Sequence, residues 1–465
     1  MEKSEQNYLA TQPVGKLVAK FAIPGIISLV VNALYNIVDQ IFIGQGVGYI
    51  GNSATNVVFP ITVITLAFAL MIGDGGAAFL SLKLGEKDTK SAQKGVGNAL
   101  MLSIIVGVLF LVLFSALLPQ TMSVFGATDA IMPYALEYGG VIVFGLPFVI
   151  VGTALNSMIR ADGSPKFAMF SMILGAVINT ILDPIFIFVF DMGVGGAALA
   201  TIIGQGASFA LSLSYIVKFK TVKITRKTMR LEGKICKKVL GLGISSFITQ
   251  VAITIVVIVT NNLLASYGAQ SQYGAEIPLA VMGIVMKVNQ ILIGIIVGIG
   301  TGAQPILGYN YGAKNYDRVK QTFRLAIVLA SVVSAIGFVL FNFFPEGIIG
   351  LFGSEDALYN EFAVKAFRLF LMLCIFNGFQ TVSGIYFQAT GRPVKASLLS
   401  LSRQILILVP AAFLLSYLFG VDGVLMSGAC ADGIAFVLTL VFVVREYRML
   451  TRQAAEEPGL MPEAL

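Results

Sequence analysis

Residues 167–190 read FAMFSMILGAVINTILDPIFIFVF, an apolar run broken near its middle by Asn179-Thr180-Ile181-Leu182-Asp183-Pro184. As a helix the run rises about 1.5 Å per residue, enough to cross a hydrocarbon layer about 30 Å thick. An ionised Asp at that depth costs roughly 2.5–3.5 kcal/mol even on the lenient insertion scale. The i, i+4 spacing puts Asn179 and Asp183 on one face of the helix. Pro184 has no N–H, so the carbonyl of Thr180 loses its usual helical partner. This single stretch therefore offers a carboxylate, an amide and a freed carbonyl, a small oxygen-rich site set inside hydrocarbon.

The remainder of the chain has the same character. Its 465 residues are 57% hydrophobic and only 12% charged, with a mean hydropathy of +0.88. Soluble proteins carry about 25% charged residues. Apolar runs near membrane length recur from end to end, predicting twelve helical spans at roughly 16–44, 54–82, 94–118, 131–157, 166–190, 194–218, 239–267, 278–308, 321–344, 360–388, 394–418 and 422–445. A transmembrane barrel would show short alternating segments instead. Pro24, Pro60, Pro147, Pro184, Pro278, Pro305 and Pro410 mark expected kinks or ends. The start, Met1 to Gly15, is polar and does not read as a cleavable signal peptide. Cys236, Cys374 and Cys430 lie far apart, without metal-ligand spacing, and read as small hydrophobes. There is no histidine, so any titrating centre must be a carboxylate.

Charge sorts by loop, so the net charge of +7 does not argue for a nucleic-acid partner. Lys83, Lys87, Lys90 and Lys94 follow span 2, Arg160 and Lys166 follow span 4, and a basic stretch from Lys218 to Lys238 follows span 6. Lys314, Arg318, Lys320, Arg392 and Lys395 follow spans 8 and 10, and the tail holds Arg445, Arg448 and Arg452. The opposite loops carry Asp129, Asp191, Glu276, Glu346, Glu355, Asp356 and Asp422. The positive-inside rule places both termini in the cytoplasm. The 218–238 stretch reads as a linker that sets topology, with binding of anionic lipid as the alternative.

The chain also repeats itself. Val124-Phe125-Gly126-Ala127-Thr128-Asp129-Ala130 matches Leu351-Phe352-Gly353-Ser354-Glu355-Asp356-Ala357. Leu84-Gly85-Glu86-Lys87 matches Tyr311-Gly312-Ala313-Lys314, and Arg160-Ala161-Asp162-Gly163-Ser164-Pro165 matches Gln388-Ala389-Thr390-Gly391-Arg392-Pro393. The offset holds at 227 or 228 throughout. The predicted architecture is an all-α polytopic membrane protein of twelve transmembrane helices in two pseudo-symmetric six-helix bundles. An N-terminal lobe (1–220) and a C-terminal lobe (237–465) are joined by a basic cytoplasmic linker (221–236). Parallel repeats of this kind are the plan of transporters that hold substrate near the midplane between halves and alternate access by rocking.

Polar residues at depth concentrate in the first half. Asn32, Tyr35, Asn36 and Asp39 recur at helical spacing in span 1, a polar stripe that normally faces a water-filled cavity. If Asp39 approaches Asp183, both cannot readily ionise without a cation; the pair would titrate as a unit, and Na⁺ could replace the proton. The same carboxylates also fit a purely structural role, pinning helices by hydrogen bonds. Asp74, in Gly73-Asp74-Gly75-Gly76, fits either close helix contact or cation binding. In the second half the positions one repeat beyond Asn179 and Asp183 are Ile407 and Ala411. Lys287, Arg403 and Asp432 are the ionisable residues there, and Asp432 is expected to pair with Lys287 or Arg403.

Taken in order, the twelve spans, the six-plus-six repeat, Tyr35-Asn36-x-x-Asp39, Asn179-x-x-x-Asp183-Pro184 and Arg160-Ala161-Asp162-Gly163-Ser164-Pro165 resemble the multidrug and toxic compound extrusion (MATE) transporters, most closely the MepA-like bacterial branch. The resemblance covers nearly the whole chain. It implies export of cationic amphipathic drugs and dyes, driven by entry of H⁺ or Na⁺. By position it assigns the cation site, for H⁺ or Na⁺, to Asp39, Asn179, Asp183 and Thr201, and it places Tyr138 and Asn156 near that site or lining its cavity. Some members carry a Glu in span 7 and an Asp in span 10 as a second cation site; here the nearby residues are Gln250 and Asn377, so that site is not carried over.

The expected function is a cation-coupled multidrug antiporter in the bacterial inner membrane, a monomer that binds no cofactor and is no enzyme. Asn32, Tyr35, Asn36, Tyr138 and Asn156 are the candidate substrate-cavity residues. The alternative is a flippase for a lipid-linked oligosaccharide, whose pyrophosphate would call for several Arg or Lys at depth. Lys287 and Arg403 keep that reading open. An intramembrane enzyme is disfavoured by the lack of histidine, of a metal cluster and of a Ser-base constellation.

Overall fold

Backbone N–H and C=O groups find no water inside a bilayer, so an apolar span must satisfy them internally, and a helix does this within one segment. The computed structural model describes residues 8–350 and 357–456, and every regular element in them is helical. The first repeat motif's partner, Leu351 to Asp356, lies outside the described residues. Eleven helices are long and apolar enough to cross a membrane, and a bent pair supplies the twelfth span. We label them α1 (Val14–Val47), α2 (Ile50–Gly85), α3 (Thr89–Ala116), α4 (Met132–Ala161), α5 (Pro165–Val189), α6 (Gly193–Lys218), α7 (Gly233–Gly268), α8 (Glu276–Gly312), α9 (Tyr316–Phe343), α10 (Ala357–Phe370 with Cys374–Ala389), α11 (Pro393–Phe419) and α12 (Val421–Glu456). Each overlaps one predicted span. Large apolar side chains such as Phe144, Phe170, Leu414 and Tyr417 remain exposed, as lipid-facing positions require.

The repeat is visible in local backbone geometry. Lys87 and Lys314, 227 residues apart, both take left-handed φ angles, 60° and 58°. Each is followed by a helix-capping side chain: Asp88 Oδ1 accepts from the Ser91 N–H at 3.1 Å, and Asn315 Oδ1 accepts from the Arg318 N–H at 3.4 Å. Gly163 and Gly391 pair likewise, with φ of 91° and 78° before the prolines that start α5 and α11.

Three irregularities shape the spans. Pro184 is followed by a π turn over Ile185–Val189, closed by the Phe190 N–H on the Ile185 carbonyl at 3.0 Å. A second π turn, Ser402–Leu408, precedes Pro410 in α11. Both prolines were expected to mark kinks, and a wider turn is one way to absorb the missing N–H. The third departs from expectation: α10 bends by 43° near residues 371–373, where the sequence predicts one continuous span and no proline stands. Just past the break, Gly378 presses on α9 so closely that a Cβ there would sit 2.3 Å from the Ala330 carbonyl oxygen.

The described residues form two compact units. The first holds residues 27–247 with residues 8–11, around a core that includes Ile43, Val58, Met122, Leu146 and Ile150. The second holds residues 12–26 and 248–456, with a core that includes Val285, Ile296, Phe323, Phe367 and Tyr386. The chain therefore passes from one unit to the other within α1 and within α7.

In the first unit the basic linker is an ordered strap. Asn98 on α3 donates to the carbonyls of Thr228 and Arg230 at 3.2 and 3.1 Å and accepts from the Glu232 N–H at 2.7 Å. Asp162 accepts from the backbone N–H groups of Lys220 and Thr221 and from the Tyr215 hydroxyl, at 2.8–2.9 Å. Burial raises the Asp162 carboxyl above its ordinary value, and these hydrogen bonds pull the other way.

The start of α7 lies against α2 through glycine. A Cβ on Gly243 would stand 1.7 Å from the Met71 carbonyl oxygen, and one on Gly75 would stand 2.1 Å from that of Val239. Neither contact can be relieved by moving a side chain, so overpacking here should cost about 1–3 kcal/mol or more. Gly241, one turn face away, has no described atom within 4 Å of its Cβ position. Thermal unfolding of the solubilised protein is expected to show Gly243→Ala clearly destabilised and Gly241→Ala unchanged or slightly stabilised. Equal behaviour of the two would refute the contact.

Candidate functional site

Asn179 and Asp183 occupy one face of α5, as their spacing requires, and both are buried. The Asn179 amide donates to Asp183 Oδ1 at 3.3 Å and to Thr201 Oγ1 of α6 at 3.3 Å. The reach to Thr201 depends on small residues. Gly175 and Gly204 face each other so closely that a Cβ on either would meet the other's carbonyl oxygen at 2.7 or 2.5 Å. Neither glycine stands out in the sequence, because the chain holds 49 of them and any pair could serve.

Asp39 arrives from α1. Its carboxyl lies beside that of Asp183, close enough for the two to interact directly. Two features hold α1 there: Phe42 meets Phe188 edge-on with ring centroids 6.2 Å apart, and Gly46 packs where a Cβ would fall 2.1 Å from Ile187. Phe188 and Ile187 belong to the π turn after Pro184, so the proline-induced irregularity also forms the surface on which α1 rests. Tyr35 and Tyr138 surround the pair; the charges of Asp39 and Asp183 both act on their phenols.

Three oxygens of this group, Asp39 Oδ1, Asn179 Oδ1 and Asp183 Oδ2, are buried without a hydrogen-bond donor among the described residues. Buried oxygens of this kind are normally satisfied. Two carboxyl groups in contact, with further donor-less oxygens beside them, suit a shared proton or a small monovalent cation. No Lys or Arg forms an ion pair with either Asp among the described residues.

The remaining predicted residues divide. Asn32 and Asn36 stay together on α1, with the Asn36 amide donating to the Asn32 carbonyl at 2.7 Å. Asn156 belongs to a different network: its amide donates to the Ala168 carbonyl at 2.8 Å and to Ser171 Oγ at 3.1 Å, and it accepts from Arg160 at 2.5 Å. Arg160 also donates to Ser157 Oγ at 3.0 Å, and Asp74 accepts from Ser157 and Ser246 at 3.1 and 2.8 Å. Asp74 thus has both hydroxyl partners and close glycine contacts around it. In the sequence Arg160 reads as a loop charge; its position in the last turn of α4, three and four residues after Ser157 and Asn156 and so on their face of the helix, is the signal that it turns inward.

In the second unit Asp432 pairs with Arg403, whose Nε and Nη2 both lie 2.7 Å from Oδ1. Glu446 is likewise buried and bound by Arg392, by Lys395 at 3.1 Å and by the Tyr386 hydroxyl at 3.0 Å. Acidic groups here are matched by fixed cations, whereas the Asp39–Asp183 pair is not.

A polytopic helical membrane transporter is the class that this fold and this buried acidic site define. The MatE family model matches residues 24–185 and 246–414, and the chain belongs to the MatE family. It is 26% identical to "Multidrug export protein MepA" of Staphylococcus haemolyticus (strain JCSC1435) over 99% of both chains, and 26% identical to the protein of that name from Staphylococcus aureus (strain N315), over 98% of this chain and 99% of that one. Among solved structures it superposes on MATE in complex with MaL6 with a TM-score of 0.90 at 22% identity, covering 97% of this chain and 100% of that chain. It superposes on a MOP superfamily transporter from Pyrococcus furiosus Vc1 (DSM3638) with a TM-score of 0.89 at 23% identity, again over 97% and 100%. At these identities the structural likeness shows the fold.

A hydrogen bond between two carboxyl groups requires a proton on one of them. In Na⁺-free buffer near neutral pH, the purified protein is expected to show an infrared carbonyl band of a protonated carboxylic acid that disappears in Asp39→Asn and in Asp183→Asn. A band untouched by both substitutions would place the proton elsewhere.

Proposed function

We infer that the protein is a cation-coupled multidrug efflux antiporter that exports cationic amphipathic drugs and dyes by alternating access. The observation that carries this reading is the contact between Asp39 and Asp183 with no fixed cation beside it. Membership of the MatE family and the likeness to multidrug export proteins MepA support it.

In this account Asp39, Asn179, Asp183 and Thr201 form the coupling group, and H⁺ or Na⁺ is its exchangeable ion. With the ion bound, the pair drops from two negative charges to one, the repulsion between the carboxyls is relieved, and α1 can rest on the π turn of α5. Without it, two like charges in a dry setting repel, and α1 is driven away. A cationic drug entering near Asn32, Tyr35, Asn36 and Tyr138 would meet two negative charges in the ion-free state and a weaker attraction, to one, once the ion returns. Exchange of one cation for another follows from that competition. Asn156 is retained as a candidate lining residue through its link to Arg160, which it shares with the Asp74 network.

Orientation follows from loop charge: both termini and the basic loops lie in the cytoplasm of a bacterial cell, and the chain works as a monomer in the plasma membrane. The lobes of residues 1–220 and 237–465 are the moving parts, with 221–236 between them. The flippase reading needs basic side chains free to meet a pyrophosphate; the commitment of Arg403 to Asp432 counts against it.

Asp183→Asn is expected to abolish drug resistance and dye antiport while leaving the protein folded in the membrane; full antiport in that variant would overturn the reading. In inside-out vesicles, dye transport is expected under an imposed gradient of the coupling ion alone, H⁺ or Na⁺. Transport indifferent to both gradients would remove ion coupling from the account.

A further inference from the structure

We propose that Arg403 is a tethered cation that permanently occupies a second monovalent-cation site, formed by Asp432 and Gln380, and so confines exchangeable ions to the first unit. The contrast with the first unit rests on the proposed coupling role of Asp39 and Asp183; the pairing in the second unit does not.

Asp432 is almost wholly enclosed, with a side chain 3% exposed, so its charge needs a partner. Arg403 meets that need with two N–H groups on one carboxylate oxygen, both at 2.7 Å. The Arg403 side chain is 25% exposed, against 3% for Asp432. Gln380 of α10 donates its amide to the Asp432 backbone carbonyl at 2.7 Å and leaves its own Oε1 buried without a donor. One turn earlier, the buried Asn377 amide lacks a partner on both its oxygen and its nitrogen among the described residues. Removing the guanidinium would therefore leave a buried carboxylate on a residue whose backbone carbonyl is already bound by Gln380, an acid and amide combination of the kind Asp183 and Asn179 present in α5.

The arrangement is specific to the second half. One repeat earlier, at the offset of 227 or 228, Arg403 falls on Ala176 or Gly175 and Asp432 on Gln205 or Gly204, none of them ionisable. Arg403 also lies in the Ser402–Leu408 π turn, a widened turn of the kind often retained where a side chain must be re-aimed. A packing role alone would not call for a buried charge pair, since apolar residues of similar volume commonly serve as well.

The test uses the full-length protein carrying Asp39→Asn and Asp183→Asn, so that the first unit contributes no site. Arg403→Ala is added, and thermal unfolding is followed at alkaline pH with Na⁺ and, separately, with low concentrations of guanidinium ion. Both probes are expected to raise the unfolding temperature saturably in the Arg403→Ala protein. They should not do so in its parent, in Arg403→Lys or after further addition of Asp432→Asn. No saturable stabilisation by either ion, or stabilisation that survives Asp432→Asn, overturns the proposal. Should Arg403→Ala not be recovered folded, Arg403→Gln/Asp432→Asn decides. Recovery of the charge-free pair supports a charge requirement, and a double variant as unstable as the single one overturns it.

Discussion

Two carboxyl groups in contact inside an apolar helix bundle constrain everything around them. In water, like charges about 4 Å apart repel by about 1 kcal/mol; at the lower effective dielectric near a protein surface the figure is about 4 kcal/mol. A dry pair cannot hold both charges without a proton or a metal cation. Asp39 and Asp183 lie side by side, and one oxygen of each, with that of Asn179, is buried with no donor among the described residues. In the proposed mechanism a small cation completes this site and links ion binding to the position of α1.

The scaffold achieves this contact with few devices. Facing glycines, Gly175 and Gly204, bring α6 close enough for Thr201 to reach Asn179. Pro184 widens the end of α5 into a π turn, and that turn carries the Ile187 and Phe188 surface against which Gly46 and Phe42 of α1 pack. The second unit repeats the helices and even the left-handed lysines, Lys87 and Lys314, but not the chemistry. Its buried acids, Asp432 and Glu446, are neutralised by side chains of the same unit. One architecture thus carries one open acidic site and one closed one.

Much of this was legible in the sequence, for a physical reason. Apolar runs of membrane length leave the backbone no alternative to a helix, so all twelve spans could be placed, and the constant repeat offset brought out the matched segments that end at Lys87 and Lys314. An Asp inside hydrocarbon is rare enough to single out Asp39 and Asp183, although they are far apart in the chain. The bend in α10 was not legible, because no local marker such as proline stands at residues 371–373. The inward turn of Arg160 and the pinning of the basic strap by Asn98 and Asp162 were missed likewise: a charged or amide residue near a span end reads as surface until its partners are known.

The central claim is that Asp39 and Asp183 together hold one exchangeable cation that a cationic substrate displaces. It is tested most directly by counting the H⁺ or Na⁺ released when a saturating cationic dye binds the purified protein. The account predicts release of one ion per chain, lost when either Asp39 or Asp183 is replaced by Asn. Undiminished release from both single variants would contradict it.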